Sequence, residues 1–200
     1  MEYIIAIFVG YLFGCSSMSF YISKIKNVKL KENGSKNYGA SNTLMLIGKR
    51  AAILVLIHDV LKSFLAMKLI EFMFEDILYV GVVAGIFAIL GHIFPFYLKF
   101  DGGKGFASYI GLLLGLNPLF ALINIFIILI VSFLSNYIVG GTFYTILFTP
   151  LIYGILNKDY ITMLIMYIPS IVIFIKHKEN IKKILKKEEP LLRDVLFKKK

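Results

Sequence analysis

Residues 77–98 read ILYVGVVAGIFAILGHIFPFYL, and positions 99–106 continue as KFDGGKGF. The first stretch contains no Asp, Glu, Lys or Arg, and a helix needs about 20 mostly apolar residues to cross the hydrocarbon core of a bilayer. A polar loop rich in glycine follows at once. The sequence therefore predicts a membrane-spanning helix with a polar loop at its end.

The composition of the whole chain agrees with this interpretation. Of 200 residues, 58% are hydrophobic, whereas a soluble domain has about 45–50%. This excess, collected into long runs, excludes a disordered chain, a disulfide scaffold and an ordinary soluble enzyme. The net charge is +10. Because most of the charges lie outside the apolar runs, they favour a membrane surface or an anionic small substrate over nucleic acid.

Seven apolar runs are candidates for membrane spans. Because a backbone in lipid must satisfy its own hydrogen bonds, these runs are predicted to be helices. They are Tyr3–Ile22, Ala51–Ile70, Ile77–Leu98, Phe106–Leu116, Leu119–Ile138, Thr142–Leu156 and Ile161–Ile175. We predict an all-α integral membrane protein, a bundle of about seven transmembrane helices that forms one domain over residues 1–200. Five or six spans are the alternative, with the short segments re-entrant.

The basic residues predict the orientation of the bundle. Lys and Arg are concentrated in residues 24–50, 99–104 and 176–200, and cytoplasmic loops of membrane proteins carry an excess of both. We therefore place the N-terminus outside and the C-terminus in the cytoplasm. Residues 181–200 are predicted to form a basic, amphipathic cytoplasmic tail suited to anionic lipid heads.

Three polar clusters fall on the predicted cytoplasmic side. The first precedes the second span, and its candidate binding residues are Gly34, Ser35, Asn37, Gly39 and Asn42. Glycines let backbone N–H groups approach an anion closely, and the side chains add neutral hydrogen-bonding groups. The cluster is also compatible with an ordinary polar turn.

The second cluster follows the quoted span. Gly102, Gly103, Lys104 and Gly105 resemble a phosphate cradle, with flexible backbone donors, one lysine and a helix start directly after. The loop is not a Walker A motif, because no Ser or Thr follows Lys104. His92 near the end of the span has two interpretations, a functional histidine or a structural one.

The third cluster ends the last span. His177 and Asn180 are three residues apart and share a helix face, and a histidine at the interface exchanges protons near neutral pH. The alternative is a basic membrane anchor with an incidental histidine. Asp59 and Lys62, beside His58 in the second span, are either a functional pair or a structural one that steadies the bundle. The sequence has no metal-binding spacing, and we predict neither a metal nor a cofactor.

The three clusters resemble the motifs of the acyl-phosphate-dependent glycerol-3-phosphate acyltransferases, the PlsY family of bacterial phospholipid synthesis. The first motif is similar to positions 34–42, and the second to positions 91–95 and 102–105. The third is similar to His177, Asn180, Ile181 and Glu189. The resemblance implies transfer of an acyl group from acyl phosphate to the 1-hydroxyl of glycerol 3-phosphate, giving lysophosphatidic acid and phosphate.

The resemblance also implies roles for residues. The catalytic set it implies is Ser35, Lys104, His177 and Asn180; the substrate-binding set is Gly34, Asn37, Gly39, Asn42, His92, Gly102, Gly103, Gly105 and Thr142. Both His177 and the phosphate of the substrate itself are candidates for the base. The implied partners are acyl phosphate, glycerol 3-phosphate and membrane lipid, and the implied location is the bacterial inner membrane, with the site facing the cytoplasm. We expect a monomer that binds no nucleic acid.

The chain departs from the family pattern at five positions. Met45 and Asn136 stand where arginines are expected, and Lys187 replaces a glycine. Of two expected serines, one is lost at Val139, and the other is replaced by Thr142, which keeps a hydroxyl. Methionine cannot replace a bidentate phosphate donor. A divergent paralogue with another phosphorylated acceptor is therefore an alternative function. A non-catalytic lipid-binding protein or permease is a second alternative.

Overall fold

The structure is a computed structural model that describes residues 1–197. Lys198, Lys199 and Lys200, the end of the predicted basic tail, lie outside the described residues. The described chain is helical, with a single isolated β-bridge between Tyr137 and Leu191, and this confirms the all-α prediction. Its helices are α1 Glu2–Cys15, α2 Met18–Ile25, α3 Ala40–Leu46, α4 Lys49–Met73, α5 Val80–Ile93, α6 Phe106–Leu116, α7 Pro118–Ser135, α8 Ile138–Asn157, α9 Tyr160–Lys176, α10 Lys178–Leu185 and α11 Leu192–Phe197.

Several of these helices are long and apolar enough to cross a membrane. By length and composition, four stretches in the described residues qualify: Glu2–Ile25, Val80–Leu98, Pro118–Ser135 and Ile138–Asn157. A fifth is obtained if α9 and α10, which meet at a bend of 50°, are counted as one span. The helix α6 has the same bounds as the predicted fourth run, and it is a shorter apolar helix.

The first predicted span is interrupted, which the hydrophobic pattern did not indicate. α1 ends at Cys15 and α2 begins at Met18, and Ser16 between them has an extended backbone. The Ser17 hydroxyl accepts a hydrogen bond from the Phe20 N–H at 3.4 Å and so caps α2. Serine side chains that bond nearby N–H groups compete with helix continuation, and two adjacent serines explain the break.

The chain divides into two compact units, residues 1–117 and the residues from Pro118 onward. In the first unit, α1 packs along α5 through small residues. A Cβ added at Gly10 would meet the carbonyl oxygen of Ala84, and one added at Gly14 would meet that of Ala88. Small residues are the usual means by which membrane helices approach this closely.

In the second unit, α7, α8 and α9 pack in sequence, and Asn136 connects α7 to the C-terminal segment. Asn136 ends α7 in the left-handed conformation, with φ of 59°. Its carbonyl oxygen accepts from the Leu192 N–H at 2.8 Å, and its Oδ1 accepts from the Arg193 N–H at 3.0 Å. Asn136 therefore holds the first turn of α11, a task that suits asparagine because it tolerates positive φ.

Gly14→Val tests the close contact between α1 and α5. The added side chain meets backbone rather than a flexible side chain, so the helices must separate, and we expect a loss of about 1–3 kcal/mol in unfolding free energy. The measurement is thermal unfolding of the purified protein in detergent. Leu12→Val, at an exposed position of the same helix, is the control and should leave the melting temperature nearly unchanged. Equal melting temperatures for both variants would contradict the packing.

Lys187→Gly tests the residue that replaces the expected glycine. Lys187 follows α10 in the left-handed conformation, with φ of 58°, which costs a residue with a side chain about 1–2 kcal/mol. Glycine should therefore raise the melting temperature of the full chain. Lys186→Gly, one residue earlier at a φ of −87°, should lower it instead, and stabilisation by both variants would show that strain at Lys187 is not the cause.

Candidate active site

The glycine loop is held against the end of α5 by its own backbone. The N–H of Gly102 donates to the Ile93 carbonyl at 3.0 Å, and that of Gly103 donates to the His92 carbonyl at 3.1 Å. A Cβ at Gly102 would meet the His92 carbonyl oxygen, and one at Gly103 would meet the His92 ring. Close packing therefore requires both glycines, and the two N–H groups that we predicted to bind phosphate are occupied by carbonyls at the end of α5.

The first polar loop is organised by Asn42, which is completely buried. Its Oδ1 accepts from the Ser35 N–H at 2.8 Å, and its Nδ2 donates to the carbonyls of Leu30 at 2.8 Å and Asn37 at 3.0 Å. Asn37 in turn donates to the Ser35 hydroxyl at 2.9 Å. The polar side chains of this loop thus fix its shape, and they bring Ser35 and Asn37 together on its partly buried side.

The two loops are joined to each other within the first unit. Lys31 forms an ion pair with Asp101 at 2.6 Å, and its ammonium group lies 5.4 Å from the centre of the Tyr38 ring. The Tyr38 N–H donates to the Gly102 carbonyl at 3.4 Å. Burial and the nearby Asp101 carboxylate raise the pKa of the Tyr38 phenol. The two loops, which were predicted to share one membrane face, are therefore in contact.

A buried ionic cluster lies directly behind the glycine loop. Asp59, Lys62 and His92 have exposed fractions of only 2%, 4% and 5%. The Lys62 ammonium is 3.1 Å from Asp59 Oδ1 and 2.8 Å from His92 Nδ1, and His92 Nδ1 is 3.4 Å from the same carboxylate oxygen. Because the His92 ring packs against Gly103, the cluster supports the loop that carries Lys104.

The second unit holds the third motif at the bend between α9 and α10. His177 is buried there, and its Nδ1 lies 2.8 Å from the Ile173 carbonyl oxygen. A carbonyl only accepts hydrogen bonds, so Nδ1 carries the proton, and in the neutral ring Nε2 carries the lone pair. Asn180 donates to Glu189 Oε1 at 2.7 Å. Thr142 is buried in the first turns of α8, and the next residue, Phe143, makes a ring contact with His177.

Three contributors to these arrangements were absent from the predicted site residues. Tyr38 acts through contacts distant in sequence, which no local pattern reveals. The i, i+3 spacing of Asp59 and Lys62 did indicate a pair, but not its contact with His92. Glu189 belonged to the third motif but had no assigned role. Within residues 1–197, no group of three or more His, Cys, Asp or Glu side chains is arranged to hold a metal ion.

The sequence model described as glycerol-3-phosphate acyltransferase matches residues 4–187. The chain belongs to the glycerol-3-phosphate acyltransferase family. The family span includes all three polar clusters and both compact units up to Lys187.

Relatives and solved structures agree with this family assignment. Glycerol-3-phosphate acyltransferases of Staphylococcus aureus strains JH9 and Newman are 32% identical to the chain over 205 aligned positions, covering 96% of this chain and 99% of each relative. A crystal structure of PlsY (YgiH), an integral membrane glycerol 3-phosphate acyltransferase, in its glycerol 3-phosphate form has a TM-score of 0.89 at 28% identity. Its lysophosphatidic acid form has a TM-score of 0.86 at 27% identity. Both alignments cover 98% of this chain and all of the solved chain.

The structure shows what stands at the positions where this family member lacks the expected arginines. Met45 is an exposed residue of α3. Asn136 holds α11, as described above, and the Arg193 guanidinium lies 5.1 Å from the centre of the Phe133 ring. Asn136 thus has a defined structural task in this chain, whereas nothing in the structure explains Met45.

Asp59→Asn tests whether the ionic cluster supports the first unit. Removing the carboxylate leaves Lys62 buried without its counter-charge, which we expect to cost about 3–5 kcal/mol. The double variant Asp59→Leu with Lys62→Leu removes both charges and should recover much of that loss. Thermal unfolding in detergent measures both effects.

A matched control comes from the half-exposed pair of Lys68 and Glu71, which is 2.7 Å apart with the same i, i+3 spacing. Its variant Lys68→Met should cost no more than about 1 kcal/mol. A double variant less stable than Asp59→Asn would show that the cluster does not act through charge pairing.

Proposed function

We propose that this chain transfers an acyl group from acyl phosphate to the 1-hydroxyl of glycerol 3-phosphate, giving lysophosphatidic acid and phosphate. Family membership supports the reaction class, and the glycerol 3-phosphate and lysophosphatidic acid forms of PlsY support the acceptor and the product. The observation that carries the proposal is the junction of the two motif loops through the pairs Lys31–Asp101 and Tyr38–Gly102. It joins the loop that carries Ser35 and Asn37 to the loop that carries Lys104, and hydrogen-bonding and positively charged groups of this kind recognise phosphate.

The proposal assigns phosphate recognition to the side chains of the two loops. Ser35, Asn37 and Lys104 supply hydrogen bonds and positive charge, and the N-terminus of α6 adds to the favourable potential. The other predicted substrate-binding residues of the first unit form the walls of the phosphate site. The N–H groups of Gly102 and Gly103 hold the glycine loop in place and do not bind the ligand. These wall residues are Gly34, Gly39, Asn42, His92, Gly102, Gly103 and Gly105.

The transfer step itself needs little activation. The 1-hydroxyl oxygen attacks the acyl carbonyl carbon, the bond between that carbon and the phosphate oxygen breaks, and inorganic phosphate leaves. The hydroxyl proton goes to Nε2 of His177 or to the phosphate of glycerol 3-phosphate. Asn180, oriented by Glu189, and Thr142 position the acceptor. Acyl phosphate is already activated, so positioning and charge stabilisation can carry much of the catalysis.

The membrane arrangement is part of the same proposal. The chain crosses the membrane seven times, and its N-terminus lies outside. The basic loops that include residues 24–50 and 99–104 lie in the cytoplasm, as does the tail from residue 181 onward. The arrangement follows the distribution of Lys and Arg, and it places the site at the cytoplasmic face of a bacterial inner membrane. We further propose that residues 1–200 act as one domain and as a monomer, without a cofactor.

Lys104→Ala and His177→Ala test these assignments. Loss of a charged hydrogen bond costs about 1.5–3 kcal/mol, so Lys104→Ala should reduce acyl transfer by about 10-fold to more than 100-fold. Loss of an acid–base group typically costs about 100-fold to 10,000-fold, which is the range we expect for His177→Ala. The assay follows lysophosphatidic acid formed from palmitoyl phosphate and labelled glycerol 3-phosphate by purified protein in lipid.

Lys99→Ala is the matched control, because Lys99 is exposed in the segment before the glycine loop. It should retain nearly full activity. Near-normal turnover in the Lys104 and His177 variants would contradict the site assignment. A folded wild-type protein that forms no lysophosphatidic acid would contradict the reaction, and a panel of phosphorylated alcohols would then test for another acceptor.

A further inference from the structure

A second arrangement of reactive groups lies in the first unit, around the break between α1 and α2. The Ser16 hydroxyl oxygen is 3.0 Å from His58 Nε2. The other ring nitrogen, Nδ1, is 3.4 Å from Asp59 Oδ1. The three side chains therefore lie in a row. The Ser16 hydroxyl faces one nitrogen of the His58 imidazole, and the Asp59 carboxylate faces the other. The acyl-transfer proposal gives Ser16 and His58 no role.

The position of Ser16 follows from local structure. It lies outside both helices, and its extended backbone is held by its N–H, which donates to the Phe13 carbonyl at 3.3 Å. Its carbonyl oxygen accepts from the Lys62 ammonium at 2.7 Å. His58 is one turn before Lys62 on α4. The helix break thus presents the hydroxyl to His58, and the contact with Lys62 fixes it there.

The hydroxyl and the imidazole line an apolar cavity. The cavity has a volume of about 530 Å³, with walls that include Phe13, Leu54 and Leu65 and a polar side formed by Ser16, His58 and Lys62. Apolar pockets with a few convergent polar groups are the usual form of small-molecule sites. The walls suit an alkyl chain, and the polar side suits the carbonyl group at the end of such a chain.

The contacts also define the protonation pattern. A carboxylate only accepts hydrogen bonds, so the His58 proton is on Nδ1 and Nε2 is left to accept from the Ser16 hydroxyl. A serine bonded to a histidine that a third group orients is the signature of an activated nucleophile, and such contacts are often loose before substrate binds. Lys62 places a positive charge next to Ser16, where negative charge develops on an attacked carbonyl oxygen.

We propose that Ser16 is the nucleophile of a second site, which hydrolyses long-chain acyl compounds that carry a good leaving group. The Ser16 oxygen attacks the acyl carbonyl carbon, its proton passes to His58 Nε2, and the bond from that carbon to the leaving group breaks. The leaving group takes the proton, and an ester of Ser16 remains. Water then attacks this ester and gives its proton to His58; the Ser16 oxygen recovers that proton as the free fatty acid departs. No oxidant or reductant takes part.

The experiment uses the full-length protein in detergent and a hexadecyl fluorophosphonate probe, which forms a stable bond with activated serines. The expected result is one adduct, located on Ser16 by tandem mass spectrometry. Ser16→Ala should abolish the adduct, and His58→Phe should slow its formation by about 100-fold or more, the range for removing a general base. Ser17→Ala, at the adjacent serine, is the control and should still be labelled.

A second readout is the hydrolysis of p-nitrophenyl palmitate by the same samples, which should be lost in Ser16→Ala. Absence of an adduct on Ser16 in folded wild-type protein would overturn the proposal. Labelling unchanged in His58→Phe would also overturn it, because the serine would then react without its base. Melting temperatures close to that of the wild type show that the variants are folded.

The acyl-transfer assay separates this proposal from the proposed function. Ser16→Ala should form lysophosphatidic acid from palmitoyl phosphate as fast as the wild type does. If the wild type is labelled on Ser16 but transfers no acyl group to glycerol 3-phosphate, the transfer proposal fails and the second site stands. If transfer is intact and Ser16 is never labelled, the second site fails alone.

Discussion

A charge removed from water has to be paired, and in the first unit this constraint is met by Asp59, Lys62 and His92. The cluster joins α4 to α5, and the bond from Lys62 to the Ser16 carbonyl extends it to the end of α1. Apolar contacts between helices are not directional and tolerate sliding, whereas a charge pair holds only in one register. The position of the glycine loop depends on this register, because the loop packs on His92.

Many hydrogen-bonding groups of the two motif loops are already bonded to other groups of the protein. Asn42 is buried and bonded through both ends of its amide, and the N–H groups of Gly102 and Gly103 are bonded to the end of α5. A site that must recognise a small anion gains from this arrangement, since groups already held in position lose little freedom when the ligand binds. Residues that shape such a site are therefore as informative as those that contact the ligand.

The sequence was sufficient to predict an all-helical membrane protein, the bounds of α6 and the family to which the chain belongs. These predictions rest on local hydrophobicity and on motifs, and both are visible in short stretches of the sequence. The break at Ser16 and Ser17 was missed because a hydropathy pattern does not show that a hydroxyl caps a new helix within an apolar run. The contact of Ser16 with His58 spans 42 residues, and the left-handed Asn136 depends on a partner 57 residues away. Neither contact has a local signature.

The separation of the buried charges along the chain has a consequence for how the protein is made. His92 follows Lys62 by 30 residues, which takes about 2–6 s at typical rates of translation. During this interval the proposed second span has to enter the bilayer without the histidine. Asp59 and Lys62 are on the same helix, one turn apart, so they can neutralise each other from the moment that turn forms. The order of residues thus lets Asp59 and Lys62 enter the bilayer as a neutral pair within the proposed second span, and His92 joins the cluster once α5 has been synthesised.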